Sequence, residues 1–171
     1  MPNQKVIRIL YIIFLFFLSS GFLLKTPVGA EPNAPDFTLK DLYDRDISLE
    51  DYKGKIVLLD FWATWCMPCR IATPELVKIQ SNYRSKGLVI LAISLDDQKA
   101  CDNRCLLDYK KKHKLNFKVL RGDLKILVDY FNTPNIAIPT SIIVNKNGQI
   151  VSAHQGYAPG LIENELKKLL Q

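Results

Sequence analysis

The chain has 171 residues, 48% apolar and 23% charged, with 23 basic and 17 acidic side chains. This is the length and composition of one globular domain, which excludes disorder and a repeat array as starting points. Four cysteines are too few for a disulfide scaffold. Lys5, Arg8 and Lys25 lie in the first thirty residues with no acid among them, so residues 31–171 carry 20 basic and 17 acidic groups, a net +3. No dense Lys/Arg stripe with interleaved aromatics occurs, and Lys110-Lys111-Lys112 with Lys114 reads as a solvated helix face. Nucleic acid is therefore not an expected partner.

Lys5 and Arg8 precede an apolar run from Ile9 to Leu24, sixteen residues broken only by Ser19, Ser20 and Gly21. Val28-Gly29-Ala30 follows. A positive start, an apolar middle and a small-x-small end are the parts of a secretory signal. The run is also at the short end of the about 17–25 residues a membrane span needs, which leaves a retained N-terminal anchor as the other reading. No cysteine near its end suggests a lipid anchor. Residues 1–30 are read as signal peptide or N-terminal membrane anchor, and 31–171 as one domain working outside the cytoplasm, where thiols tend to be oxidised.

Asn33 to Pro35 reads as a linker, and Asp36–Leu39 with Asp46–Leu49 as a small strand pair around Tyr43-Asp44-Arg45. Lys55–Trp62 is nearly continuously apolar, as a strand buried on both faces of a parallel sheet should be. A helix is predicted from Pro68 to Lys86, with Ile71, Leu76, Ile79 and Tyr83 at helical spacing and Gly87 as its stop. Leu88–Leu95 is a second buried strand. The polar stretch Asp96–Arg104 opens a helix running to Lys114. Lys118–Leu120 is a short strand and Asp123–Phe131 a short helix. Ser141–Asn145 and Gln149–Ala153 form a hairpin whose Asn147-Gly148 supplies positive φ angles. Leu161–Leu170 closes the chain as an amphipathic helix. This order describes an α/β domain with a central mixed sheet flanked by helices.

Cys66-Met67-Pro68-Cys69 lies directly after the first buried strand and opens the long helix. A sulfur at a helix N-terminus faces unpaired backbone N–H groups and the positive end of the dipole, both of which favour thiolate. Cys66 is thus expected to be an exposed nucleophile of low pKa. Cys69, one turn on, is within disulfide reach and placed to resolve a mixed disulfide. Pro68 suits the first helical turn, where no N–H is needed. A structural disulfide or a zinc site would use the same spacing. Asp60 is the one acid in its apolar strand; it is either a proton acceptor for Cys69, with a carboxyl pKa raised by burial, or a satisfied structural carboxylate. Ile138-Pro139-Thr140 precedes a hairpin strand. A cis bond there would free the Ile138 backbone to pair with an extended substrate segment, and an ordinary trans turn is the alternative.

Phe61-Trp62-Ala63-Thr64-Trp65-Cys66-Met67-Pro68-Cys69, with Ile138-Pro139-Thr140 and Gly156-Tyr157, resembles the thioredoxin superfamily. Ala34-Pro35-Asp36-Phe37-Thr38-Leu39 narrows the resemblance to TlpA/ResA-like extracytoplasmic thiol-disulfide oxidoreductases. It implies a thioredoxin-like fold with an N-terminal β-hairpin and a central insertion, Cys66 as nucleophile, Cys69 as resolver and Pro139 in cis. It also implies a substrate-binding rim of Trp65, Pro68, Ile138 and Thr140. No cofactor or metal is implied. Expected partners are disulfide-bearing proteins, apocytochrome c among them, and a membrane electron carrier of the CcdA or DsbD kind. Many relatives carry a glutamate three residues after the second cysteine, where this chain has Ala72. Asp60 instead occupies the place of the buried aspartate of cytoplasmic thioredoxins. Met67 adds no charge between the cysteines and Asp60 disfavours further negative charge, which points to a reductant.

Cys101-Asp-Asn-Arg-Cys105 is a second pair. If the two buried strands run parallel, its loop lies on the same side of the domain as Cys66. It is read as a structural disulfide, a second redox pair, or metal-binding or free thiols. Cβ atoms at i and i+4 of a regular helix are too far apart for a bridge, so a disulfide predicts that the helix starts after Cys101. His113 is expected at the surface and His154 as an ordinary strand residue. Two rival functions follow. A peroxiredoxin-like peroxidase shares the Ala-Pro-Asp-Phe segment, although nothing from Leu58 to Cys66 supplies the proline of a PxxxTxxC site. A copper-binding or copper-delivery module would use Cys101, Cys105 and a histidine.

Overall fold

The computed structural model describes residues 31–171; the leader expected over residues 1–30 lies outside the described residues. Strands β1 (Thr38–Lys40) and β2 (Asp46–Ser48) pair antiparallel. Their turn is fastened by the Asp41 carboxylate, which accepts from the amides of Tyr43 and Arg45 at 2.8 and 3.1 Å. The central sheet holds β3 (Ile56–Trp62), β4 (Leu88–Ser94), β5 (Lys118–Arg121), β6 (Thr140–Val144) and β7 (Ile150–Gln155), in the order β5-β4-β3-β6-β7. β3, β4 and β5 run parallel, whereas β6 and β7 are antiparallel to their neighbours. The helices are α1 (Met67–Tyr83), α2 (Asn103–Lys112), α3 (Leu124–Phe131) and α4 (Leu161–Leu169). The segment carrying α2 and β5 is the central insertion, and β1–β2 the N-terminal hairpin.

All seven residues of β3 are buried, because helices cover one face and the hairpin with α3 covers the other. Side chains alternate along a strand. Leu58 and Trp62 therefore join α1, α2 and α4 in one apolar cluster, while Val57, Leu59 and Phe61 join α3 and the hairpin in a second. Asp60 shares the parity of Leu58 and Trp62, so it points toward α1. Gln80 locks α1 to β4, donating to the Leu88 carbonyl at 3.2 Å and accepting from the Ile90 amide at 2.8 Å.

Several details differ from the sequence reading. Ile71 is 58% exposed, because α1 buries Cys69, Ala72, Thr73, Leu76, Ile79, Gln80 and Tyr83, and Ile71 lies some 200° round from Cys69 at 100° per residue. The last turn of that helix is a 3-10 turn, Arg84–Lys86, ended by Gly87 at φ 93°. In the β6–β7 hairpin only Gly148 has a positive φ, 81°; Asn145 instead fastens the turn, accepting from the amides of Asn147 and Gln149. His113 is half-buried and stacks on Tyr109, ring centroids 4.1 Å apart. His154 is more than a strand residue, since its Nε2 meets Glu165 of α4 at 2.9 Å. Lys110 donates to the Phe117 carbonyl and so leaves the solvated lysine face.

Candidate active site

β3 and β4 end in register, Trp62 opposite Ser94, so the loops that follow both leave from one sheet edge. Cys66 is the N-cap of α1, and its sulfur accepts from the Cys69 amide at 3.2 Å. Pro68 falls in the first turn, where α1 needs no amide donor. Cys66 and Cys69 are joined, with Cα atoms 5.3 Å apart. Contrary to the exposed position expected for Cys66, both cysteines are buried in this state, at 4% and 3% exposure. Trp65 and Met67, 70% and 60% exposed, stand on either side of it, and the Ile138 carbonyl lies 3.6 Å from its sulfur. The Ile138–Pro139 bond is cis. Pro68 is exposed and Ile138 half-buried, whereas Thr140 is buried and its hydroxyl donates to the Ala137 carbonyl at 2.6 Å. Thr140 therefore shapes the loop without presenting a surface group.

Asp60 is buried between β4 and β6, opposite Ala92 and Ser141. It lines a cleft with Ala72, one helical turn beyond Cys69, and with Pro139. Burial pushes its carboxyl up to about 7, against the pull of a hydrogen bond from Ser141 at 3.1 Å. A carboxyl so poised can hold or release a proton at neutral pH.

Three supporting residues had no sequence signal strong enough to name them. Asp96, just past β4, accepts from the Thr64 amide at 3.0 Å, the Thr64 hydroxyl at 2.6 Å and the Ser94 hydroxyl at 2.8 Å, tying down the loop that leads into Cys66. Glu75 accepts from the Tyr157 hydroxyl and the Gly160 amide at 2.8 and 3.0 Å. That bond anchors the loop after β7, whose Gly156 amide donates to the Pro139 carbonyl at 2.7 Å. Ser141 is the third.

Cys101 and Cys105 are also joined, and α2 begins at Asn103, past Cys101. Cys101 is buried and Cys105 exposed. Asp102 caps α2 by accepting from the Cys105 amide at 2.9 Å, and Arg121 donates to the Cys101 carbonyl at 2.7 Å. Among the described residues no three His, Cys, Asp or Glu side chains gather as a metal site.

The sequence profile of the AhpC/TSA family matches residues 30–153. The chain belongs to the AhpC/TSA family. Within that thioredoxin-like family its relatives are thiol-disulfide oxidoreductases. A protein named thiol-disulfide oxidoreductase ResA from Bacillus cereus is 32% identical over 158 residues, 87% of this chain and 86% of that one. The protein of the same name from Bacillus subtilis (strain 168) is 32% identical over 136 residues, 79% of this chain and 72% of its own. The solution structure of a thiol:disulfide interchange protein from Bacteroides sp. superposes with a TM-score of 0.70 at 27% identity, over 82% of this chain and 89% of that one. This AhpC/TSA member is an oxidoreductase with the thioredoxin-like fold expected from its motifs.

Proposed function

We propose that the chain is an extracytoplasmic protein-disulfide reductase working through Cys66 and Cys69. The observation that carries this reading is the seating of Cys66 at the α1 N-cap, with the Cys69 amide on its sulfur and the Ile138 carbonyl beside it. In the reduced enzyme the Cys66 thiolate attacks one sulfur of a substrate disulfide and expels the other as a thiolate. Cys69 gives its proton to Asp60 and attacks Cys66, forming the Cys66–Cys69 bond and releasing the substrate's second sulfur. The substrate gains two electrons, and a membrane carrier of the CcdA or DsbD kind supplies two more to reopen the Cys66–Cys69 disulfide. The exposed Trp65, Met67 and Pro68 with the Ile138 backbone form the docking rim for an extended, disulfide-bearing protein; apocytochrome c is one such substrate. Residues 1–30 act as the secretory signal or as an N-terminal anchor, which places the domain in the periplasm or on the outer face of the membrane.

Cys101–Cys105 serves as a staple of the insertion. Its accessible sulfur is that of Cys105, and attack there would expel Cys101 as a thiolate into the apolar cluster that buries it, an unfavourable leaving site. Joined in this way, the pair offers no thiolate for copper.

A redox-buffer titration with alkylation of free thiols, mapped by mass spectrometry, tests the reading. Cys66–Cys69 is expected to titrate below about −230 mV, more reducing than an extracytoplasmic poise, with Cys101–Cys105 closed throughout. A value near about −120 mV would make the protein an oxidant, and opening of both pairs together would make the second a relay.

A further inference from the structure

Ser141 stands opposite Asp60 in the β3–β6 ladder, two residues after Pro139. Both side chains are buried. The Ser141 hydroxyl donates to Oδ1 of Asp60 at 3.1 Å, and among the described residues it is the one hydrogen-bond donor the carboxyl has. On the other side of the ladder stands Ala92, and α1 presents Ala72 to the same cleft; neither side chain can donate. Oδ2 is thus left without a protein partner among the described residues.

We propose that Ser141 is a positioning residue for thiol-disulfide exchange: its hydroxyl holds the Asp60 carboxyl by Oδ1 and so keeps Oδ2 turned to the cleft, free to take and release the Cys69 proton. The inference rests on the reading of Asp60 as proton acceptor. A neutral hydroxyl bonded to a carboxylate favours the charged form, in opposition to burial. The other titratable groups of the cleft are already engaged: Glu75 of α1 by Tyr157 and Gly160, Tyr157 by Glu75, and His154 of β7 by Glu165. Cys69 lies on α1 one helical turn before Ala72, which lines the cleft. Ser141 therefore sets how readily Asp60 ionises without bringing a charge of its own.

The test loads the reduced 171-residue chain at Cys66 with one equivalent of an aromatic disulfide, which leaves one aryl sulfur bonded to Cys66 and expels the other as an aryl thiolate. Release of the bound aryl thiol is then followed between about pH 5 and 9. In this step the Cys69–Cys66 bond forms, the Cys66–aryl sulfur bond breaks, the electron pair leaves on the aryl thiolate, and the Cys69 proton passes to Asp60. Removal of the hydroxyl in Ser141→Ala is expected to move the midpoint of the pH–rate limb up by about one pH unit. Ser141→Val, which refills the strand, should move it likewise, and Ser141→Thr should restore it. Asp60→Asn should abolish the limb near neutrality. A midpoint unmoved in both Ser141→Ala and Ser141→Val, with the limb lost in Asp60→Asn, overturns the role of Ser141 alone. A limb that survives in Asp60→Asn overturns the proton-acceptor reading beneath it.

Discussion

At Asp60, burial and charge are in conflict. Burial pushes its carboxyl from 3.8 up to about 7, so between about pH 4 and 7 the folded chain keeps a proton that the unfolded chain releases. Between those two values stability falls as pH rises, and above the higher one the loss is constant. Three pH units at about 1.4 kcal/mol each amount to about 4 kcal/mol. Asp60→Asn is therefore expected to raise the unfolding free energy of the oxidised protein by a few kcal/mol at pH 8, and to change it by less than about 1 kcal/mol at pH 4. Urea unfolding at the two pH values measures this; a variant no more stable than the wild type at pH 8 would contradict it. The acid itself was legible in the sequence, because a lone carboxylate in a strand buried on both faces needs a reason. Its partner was not, since a serine in a strand has no meaning until the register sets it opposite Asp60.

Between elements, the site is held by short polar ties as well as by the helix that carries the cysteines. Asp96 joins the end of β4 to the loop between β3 and α1, satisfying three donors at once. Asp96→Ala would leave the buried Ser94 hydroxyl and the Thr64 amide without their acceptor. A loss of about 2–3 kcal/mol in unfolding free energy is expected, together with slower release of the aryl thiol from Cys66, while Asp96→Asn should lose less of both. A variant that unfolds more easily but exchanges at the wild-type rate would show that this tie serves stability alone. The helices and strands themselves were readable from apolar periodicity. Asp96 was not, because an acid just past a strand reads as ordinary loop polarity until Thr64 is brought beside it by the β3–β4 register.

Across the whole molecule, the two disulfides serve different ends of one sheet edge. The Cys101–Cys105 bridge closes a five-residue loop at the start of the insertion, and loop-closure entropy for so short a loop gives about 2 kcal/mol. The paired substitution Cys101→Ala with Cys105→Ala should thus lower unfolding free energy by about that amount and leave the Cys66–Cys69 exchange rate within about twofold. Denaturant titration beside single-turnover exchange checks both halves. A large fall in exchange rate would instead assign the second pair to the reaction path. Tyr109 of α2 packs on Trp62 at the end of β3, centroids 5.0 Å apart, so the insertion also buttresses the strand that leads to the site.

The sequence by itself determined the class of chemistry, the order of the elements and the place of the Cys66–Cys69 motif, and it left the state of Cys101 and Cys105 open. Those signals are local: a sulfur-bearing motif at a strand-to-helix junction, apolar periods of two and 3.6, and turn residues between them. Tertiary structure decided the rest. It buried Cys66 beside the Ile138 carbonyl and turned Ile71 outward. It also set Ser141 against Asp60 and Asp96 against Thr64. Each of these depends on residues from 32 to 81 positions apart or on which helix face meets the sheet. Strand register and helix packing fix such pairings, and a one-residue slip in register would move every one of these strand side chains to the opposite face.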